Sequence, residues 1–392
     1  MRTYARTHAR THIPLPPAYA FGSSIGRTIF SQPSDFPPPS PLPSEDESND
    51  LKPVVMRAVG ADGALPRYSQ EELRRATGDW RTKLGEGGFG AVYKGMLLLP
   101  GGGARGEGDG ENGGDEEEEA EEGLEETLEG LEVAEVDGKR FLPVAVKMCH
   151  MEEEEDLGGR EQLMTEIMVM TALRHPNVLR LLGMAVMGRN ISMVSEFVPG
   201  GDVSQRLEKA RDGEKPFPWQ ERLRVAEGSL EGLAAIQKAG FIHRDFKGAN
   251  VLLTKTLVPK VADFGLAKSS GDKSHVTTRV AGSMGYMDPA YFERGYLSTH
   301  CDTFAFGIFL LELVTGYPAL DESFQEPREK LNDPDFTDYS EVVDKSLEGQ
   351  WTEEQARFLV GVVRGAILTE WEDRLTLEQI LDAWKTHIVL EG

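Results

Sequence analysis

The segment His243-Arg244-Asp245-Phe246-Lys247-Gly248-Ala249-Asn250 packs a carboxylate, an ammonium and a carboxamide into one short stretch. Asp245 can accept the proton of an attacking hydroxyl, Lys247 can neutralise a transferring phosphoryl group, and Asn250 can hold a magnesium ion. His243 reads as a packed structural residue, because Asp245 already supplies the base. Beyond Asn250, Asp263-Phe264-Gly265 offers a second carboxylate followed by a residue able to turn sharply. Oxygen donors of this kind suit a hard cation such as Mg2+. Val144-Ala145-Val146-Lys147 places an amine on a strand with apolar flanks, where its charge needs a partner. Glu166 is the candidate, since one carboxylate can hold the ammonium against the α- and β-phosphates of a bound nucleotide.

The run Gly85-Glu86-Gly87-Gly88-Phe89-Gly90 is a weak signal alone, because dinucleotide folds and ordinary turns share its spacing. Its context is more specific. A dinucleotide fingerprint must open a helix, whereas Ala91-Val92-Tyr93-Lys94-Gly95 alternates like a strand. The glycines therefore read as the tip of a hairpin that lets backbone N–H groups approach phosphate oxygens. No Gly-Lys-Ser/Thr follows, which argues against a P-loop nucleotidase.

The elements that must position these groups are legible from periodicity. Lys83 to Gly95 reads as strand, turn and strand, Phe141 to Met148 as a strand, and Arg160 to Leu173 as a helix. From Val203 onward helical patterns dominate. Leu223, Ala226, Leu230 and Leu233 form one apolar face, and Phe304 to Leu313 is apolar nearly all round, as a buried helix should be. The implied architecture is α+β: a small lobe of antiparallel sheet plus one main helix, then a larger, mostly helical lobe.

Charge is unevenly spread. The formal net charge is −24, and residues 106–137 hold 16 acidic groups with no Lys or Arg. Such a balance does not fit nucleic-acid binding, which needs a basic surface. Cys149 and Cys301 are too few for a disulfide framework. No apolar run reaches the roughly 18 residues that a membrane helix needs, and Met1 to Arg10 lacks the apolar core of a signal peptide. Arg2 offers no myristoyl acceptor. These features suit a cytoplasmic protein. Arg2, Arg6, Arg10 and Arg27, with no acid before Asp35, also resemble an organelle transit peptide. Residues 1–67 are expected to be a disordered tail with a Pro/Ser-rich stretch, and order to begin near Tyr68. Residues 97–139 are expected to form a disordered acidic insert, because their early part cannot bury enough apolar surface. Leu124, Leu128 and Leu131 fall at helical spacing and could dock a signalling partner.

Together these motifs resemble the eukaryotic protein kinases, from about Tyr68 to Thr386 with one interruption. Within that superfamily the chain is most similar to the Pelle-type, plant receptor-like and receptor-like cytoplasmic kinases. Tyr68-Ser69-Gln70-Glu71-Glu72-Leu73 and Leu84 to Gly95 resemble their entry segment, and Thr277-Thr278-Arg279-Val280-Ala281-Gly282 their activation segment. The resemblance implies a bilobal kinase domain over residues 68–388, with lobes 68–198 and 199–388. It implies phosphoryl transfer from Mg-ATP to Ser or Thr of protein substrates, Lys247 being the mark of that specificity. Leu84, Val92, Ala145, Ser195, Glu196 and Val198 would frame the nucleotide. Asp302 would anchor the catalytic loop. Because Arg244 precedes Asp245, the resemblance also implies activation by phosphorylation, with Ser274, Thr277 and Thr278 as candidate acceptors.

Three departures stand out. The family closes its activation segment with a Pro-Glu pair whose glutamate binds an arginine, but here the chain reads Asp288-Pro289-Ala290. Arg374 matches that arginine, so a substitute partner such as Glu293 is expected. The acidic insert replaces a short loop, and its charge could select basic partners or oppose acidic substrates by steering. Ser195 stands before the hinge where relatives carry a bulky residue, which should open the back of the adenine pocket. The rival reading is a pseudokinase scaffold, favoured by Ala290.

Overall fold

The computed structural model describes residues 53–57, 64–87, 90–100, 128, 130–149, 157–188, 190–270, 276–277 and 279–388. In the small lobe, β1 (Lys83–Gly87), β2 (Gly90–Leu98), β3 (Ala134–Val136), β4 (Lys139–Cys149), β5 (Leu181–Met187) and β6 (Asn190–Glu196) form one antiparallel sheet. Its order is β1-β2-β4-β6-β5, with β3 pairing the start of β4. Side chains alternate across a strand, and β4 shows the consequence. Val144 and Val146 enter the outer core, while Ala145 and Lys147 line a cavity on the opposite face. On β6, Val194 and Ser195 divide in the same way. Gly90 is obligatory for this packing: its φ is +129°, and a Cβ there would sit 1.8 Å from the carbonyl oxygen of Met148.

The inner face of the sheet is covered by α2 (Leu157–Ala172), whose Leu163, Ile167 and Met170 join the main core. The outer face is covered by α1 (Gln70–Ala76), which Ser69 and Glu72 start with a reciprocal capping box. Order begins earlier than Tyr68. Val55 pairs in parallel with Leu98, and Val54 and Met56 are buried in the outer core. Inward and outward residues alternate over these few positions, a pattern too short to register beside the Pro-rich stretch. The expected insert, 97–139, is likewise too wide. β2 runs to Leu98, β3 lies within it, and Asp137-Gly138, both at positive φ, turn β3 into β4. Leu128 and Leu131 pack against the outer core, and Leu124 lies outside the described residues.

The large lobe is built on α4 (Trp219–Lys238) and α6 (His300–Thr315), preceded by α3 (Val203–Arg211). The predicted apolar face of α4 is buried, and α6 is buried along nearly its whole length. After α4, β7 (Phe241–Ile242) leads into the loop from His243 to Lys247, and β8 (Val251–Leu253) and β9 (Pro259–Val261) make a hairpin ending just before Asp263. Next come β10 (Lys268–Ser269), β11 (Val276–Thr277), α5 (Pro289–Arg294) and β12 (Tyr296–Leu297), and finally α7 (Glu322–Lys330), α8 (Glu353–Ala366) and α9 (Leu377–His387).

Candidate active site

A cavity lies where the lobes meet, walled by residues of both. Leu84, Val92, Ala145 and Leu252 give it apolar walls, and Ser195, Glu196 and Val198 bound one end. At the other end stand Lys147, Glu166, Asn250 and Asp263. Lys147 Nζ meets both carboxylate oxygens of Glu166, at 2.9 and 2.8 Å. Burial alone would lower the Lys147 pKa, but the charges of Glu166 and Asp263 outweigh it and hold it above the ordinary lysine value. The ammonium is therefore retained inside the protein.

The loop from His243 to Asn250 is shaped from beneath. The buried Asp302 carboxylate accepts the backbone N–H of His243 at 2.8 Å and of Arg244 at 3.0 Å. These bonds hold Arg244 at φ +68°, a left-handed conformation costly for a residue with a side chain. Asp263, at φ +64°, is strained alike. His243 is fully buried, its Nε2 3.1 Å from the Ala262 carbonyl oxygen and its ring 5.4 Å from that of Phe264. It packs, as the sequence suggests.

Above this base, Lys247 Nζ donates to Asp245 Oδ2 at 2.9 Å and to Ser283 Oγ at 2.6 Å. Asn250 Nδ2 donates to the Asp245 carbonyl at 2.8 Å and approaches Oδ2 at 3.3 Å. Both donors hold the same carboxylate oxygen. Asp245 Oδ1 is buried without a hydrogen-bond partner among the described residues. That lone acceptor is what a general base must present to an incoming hydroxyl.

Because Asn250 turns its amide N–H groups toward Asp245, its oxygen is left for the cavity it lines. Among the described residues no group of three or more His, Cys, Asp or Glu could hold a metal alone. An amide oxygen and one carboxylate fit a magnesium ion, which keeps waters and shares phosphate oxygens instead of filling an all-protein cage.

Other expectations fare unevenly. Gly85, Glu86, Gly87 and Gly90 lie on β1 and β2 beside Leu84 and Val92, while Gly88 and Phe89 lie outside the described residues. Glu196 meets the cavity, but its carboxylate is engaged by Lys260 at 3.0 Å and by the backbone N–H of Arg180 at 2.9 Å. Only its main chain is left to face a ligand. Thr277 pairs its backbone with Tyr296, and Ser274 and Thr278 lie outside the described residues. Arg244 donates to the carbonyls of Leu266 and Arg279 and to Tyr291 Oη. Arg374 does have a substitute carboxylate, but it is Asp288 and not Glu293. The pair is bidentate, at 2.7 and 2.8 Å, with both side chains buried. Asp288 succeeds because it immediately precedes α5, which it also caps through the Ala290 N–H at 2.9 Å.

Sequence reasoning missed Met170, Leu179, Met193 and Ala262, which line the cavity, as well as Ser283 and the pair Lys260–Glu196. The helical spacing of Met170 from Glu166 and the strand alternation of Met193 with Ser195 could have found two of them.

Residues 133–384 match the protein kinase domain family. The chain is 34% identical over 341 residues to EPD1-interacting receptor-like cytoplasmic serine/threonine-protein kinase 5D of Gossypium barbadense, covering 82% of this chain and 62% of that protein. It is 33% identical over 335 residues to serine/threonine-protein kinase PBL13 of Arabidopsis thaliana, covering 82% and 58%. To receptor-like cytoplasmic kinase 176 of Oryza sativa subsp. japonica it is 31% identical over 375 residues, covering 93% and 82%. The chain thus spans about three fifths of the first two relatives. No helix among the described residues is long and apolar enough to cross a membrane. The chain belongs to the protein kinase family and, within it, to the group of plant receptor-like cytoplasmic serine/threonine kinases.

Proposed function

We propose that this protein transfers the γ-phosphoryl group of ATP to serine or threonine hydroxyls of protein substrates, with Asp245 as the base. The observation that carries this reading is the orientation of Asp245: Oδ2 is held by Lys247 and Asn250, and Oδ1 is left as a buried acceptor. The adenine lies at the hinge end of the cavity, between apolar walls, because the charged groups that suit phosphates are at the other end. Lys147, fixed by Glu166, takes the phosphate oxygens. Asn250 and Asp263 would hold magnesium, which when bound neutralises charge on the β- and γ-phosphates. Asp245 Oδ1 receives the substrate proton, and Lys247 balances charge on the group in transfer. Such chemistry depends on positioning and electrostatics more than on covalent steps.

Preference for Ser and Thr over Tyr rests on Lys247 and on the relatives being serine/threonine-protein kinases by name. Those names also support a cytoplasmic location and a role in signalling. Activation-segment phosphorylation at Ser274, Thr277 or Thr278 remains the regulatory proposal, and the acidic insert is proposed to meet a basic partner. The pseudokinase reading loses its main support, since Arg374 has its carboxylate in Asp288. The test is transfer of label from γ-labelled ATP in the presence and absence of Mg2+, followed by phosphoamino-acid analysis. Label on serine and threonine is expected; none above the metal-free control, or label on tyrosine alone, would contradict the proposal.

A further inference from the structure

We propose that the root of the acidic insert is a strap across the outer side of the hinge, with Glu132 a positioning residue for nucleotide binding. The inference rests on the kinase reading above and adds a determinant to the same site. Glu132 Oε2 meets Lys255 Nζ at 3.0 Å, and the Lys255 backbone N–H points at Oε1 from 3.4 Å. Glu132 belongs to the small lobe, just before β3, whereas Lys255 lies in the turn between β8 and β9 of the large lobe. The hinge itself, from Glu196 to Pro199, joins β6 to the approach to α3.

Beside Glu132 is a second, much smaller cavity, with Gly130, Leu131 and Glu132 on one side and Thr254 on another. The hinge residues Glu196 and Phe197 line this cavity and the nucleotide cavity alike. They are the partition between the strap and the site. Leu131, one residue before Glu132, is packed on the small-lobe outer core, so the carboxylate is held from the small-lobe side. From the other side, Lys255 sits on the hairpin whose β9 strand runs into Ala262 and Asp263. The contact therefore links the sheet that carries Lys147 to the hairpin that delivers Asp263. It is made in the arrangement in which Lys147 meets Glu166 and the cavity is assembled. Losing it removes support from that arrangement and lowers nucleotide affinity.

Lys94 approaches the hinge from the small lobe. Its Nζ lies 4.7 Å from the Phe197 ring centroid, and burial, followed by the charge of Lys255, holds its pKa down. A cation placed at position 132 would face the Lys255 ammonium that the carboxylate now meets. The Glu132 and Lys255 side chains are 36% and 73% exposed, so solvent screening keeps the effect to about two- to fivefold.

The test uses the full chain, with ADP binding by calorimetry beside KM and kcat for ATP. Glu132→Arg is expected to raise the ADP Kd and the ATP KM about two- to fivefold, while kcat and the melting temperature stay at the native values. Glu132→Arg/Lys255→Glu is expected to restore both constants, and the difference between native and Glu132→Arg to vanish toward 1 M salt. Additive effects in the double variant, or an unchanged ADP Kd in Glu132→Arg, would overturn the strap. If Glu132→Arg melts early, Lys255→Ala supplies the same comparison from the large-lobe side. Because ADP binding needs no transfer, failure of the kinase reading leaves this test intact, and an active chain with an unmoved Kd refutes the strap alone.

Discussion

Replacing Asp288 should unpin the end of the activation segment from the large lobe. In the native chain the Arg374 side chain is fully buried and takes both Asp288 oxygens. Without that carboxylate its polar partners among the described residues are the carbonyls of Leu368, His300 and Thr369, beside the Phe304 ring. Removing one member of a buried pair costs about 3–5 kcal/mol, and the remaining carbonyls place this case near the lower end. Asp288→Asn keeps the cap on α5 and removes the charge, for about 3 kcal/mol. Asp288→Ala also loses the bond to Ala290 N–H, adding about 1 kcal/mol. At about 2 °C per kcal/mol for a chain of this size, calorimetry should show Tm lower by about 6 °C and about 8 °C. Adding Ala290→Glu to Asp288→Asn returns a carboxylate to the position used by relatives, and should recover more than half of the loss. An Asp288→Asn Tm within about 1 °C of native would refute this reasoning, as would a second substitution that recovers nothing.

Three further outcomes are expected. Ser195→Tyr overfills the space beside Met170 and Met193, and at about 1–3 kcal/mol for overpacking it should weaken bulky adenine-site inhibitors by about ten- to hundredfold; equal inhibition of both proteins would contradict an open rear pocket. Ser283→Ala removes the hydroxyl 2.6 Å from Lys247 Nζ and should lower kcat by about tenfold or more with the ATP KM unchanged, a split that steady-state kinetics reads directly. Burial pushes the Glu312 pKa up from 4.5 to about 7 against the donors Tyr286 and Ala319. The folded chain then keeps a proton that the unfolded chain has lost, so stability falls by about 3 kcal/mol as pH rises from 4.5 to 7. Glu312→Gln should flatten that limb in denaturant titrations, and a slope identical to native would exclude Glu312 as its source.

The site was legible where chemistry and local pattern coincide. Lys147 announces itself by its apolar flanks, Asp245 to Asn250 by their density of function, and Ala145 and Ser195 follow once strand alternation is granted. Contacts set by tertiary packing were not legible. Nothing near Lys260 points to Glu196, 64 residues away, and the choice of Asp288 over Glu293 depends on which carboxylate the start of α5 turns toward Arg374. The early start of order at Val54 and Met56 was hidden because a single parallel bridge with Leu98 leaves too short a pattern. The charge run before β3 masked the Asp137-Gly138 turn, whose backbone preference outweighs the polarity around it.

The most direct test compares native chain with Asp245→Asn in Mg-ATP-dependent phosphorylation of a serine- or threonine-bearing protein, alongside ADP binding. Asn presents no proton-accepting carboxylate, so phosphorylation should fall about 10²- to 10⁴-fold with the ADP Kd unchanged. Equal rates in the two proteins would contradict Asp245 as the base, and an inactive native chain would contradict the assignment of transfer itself.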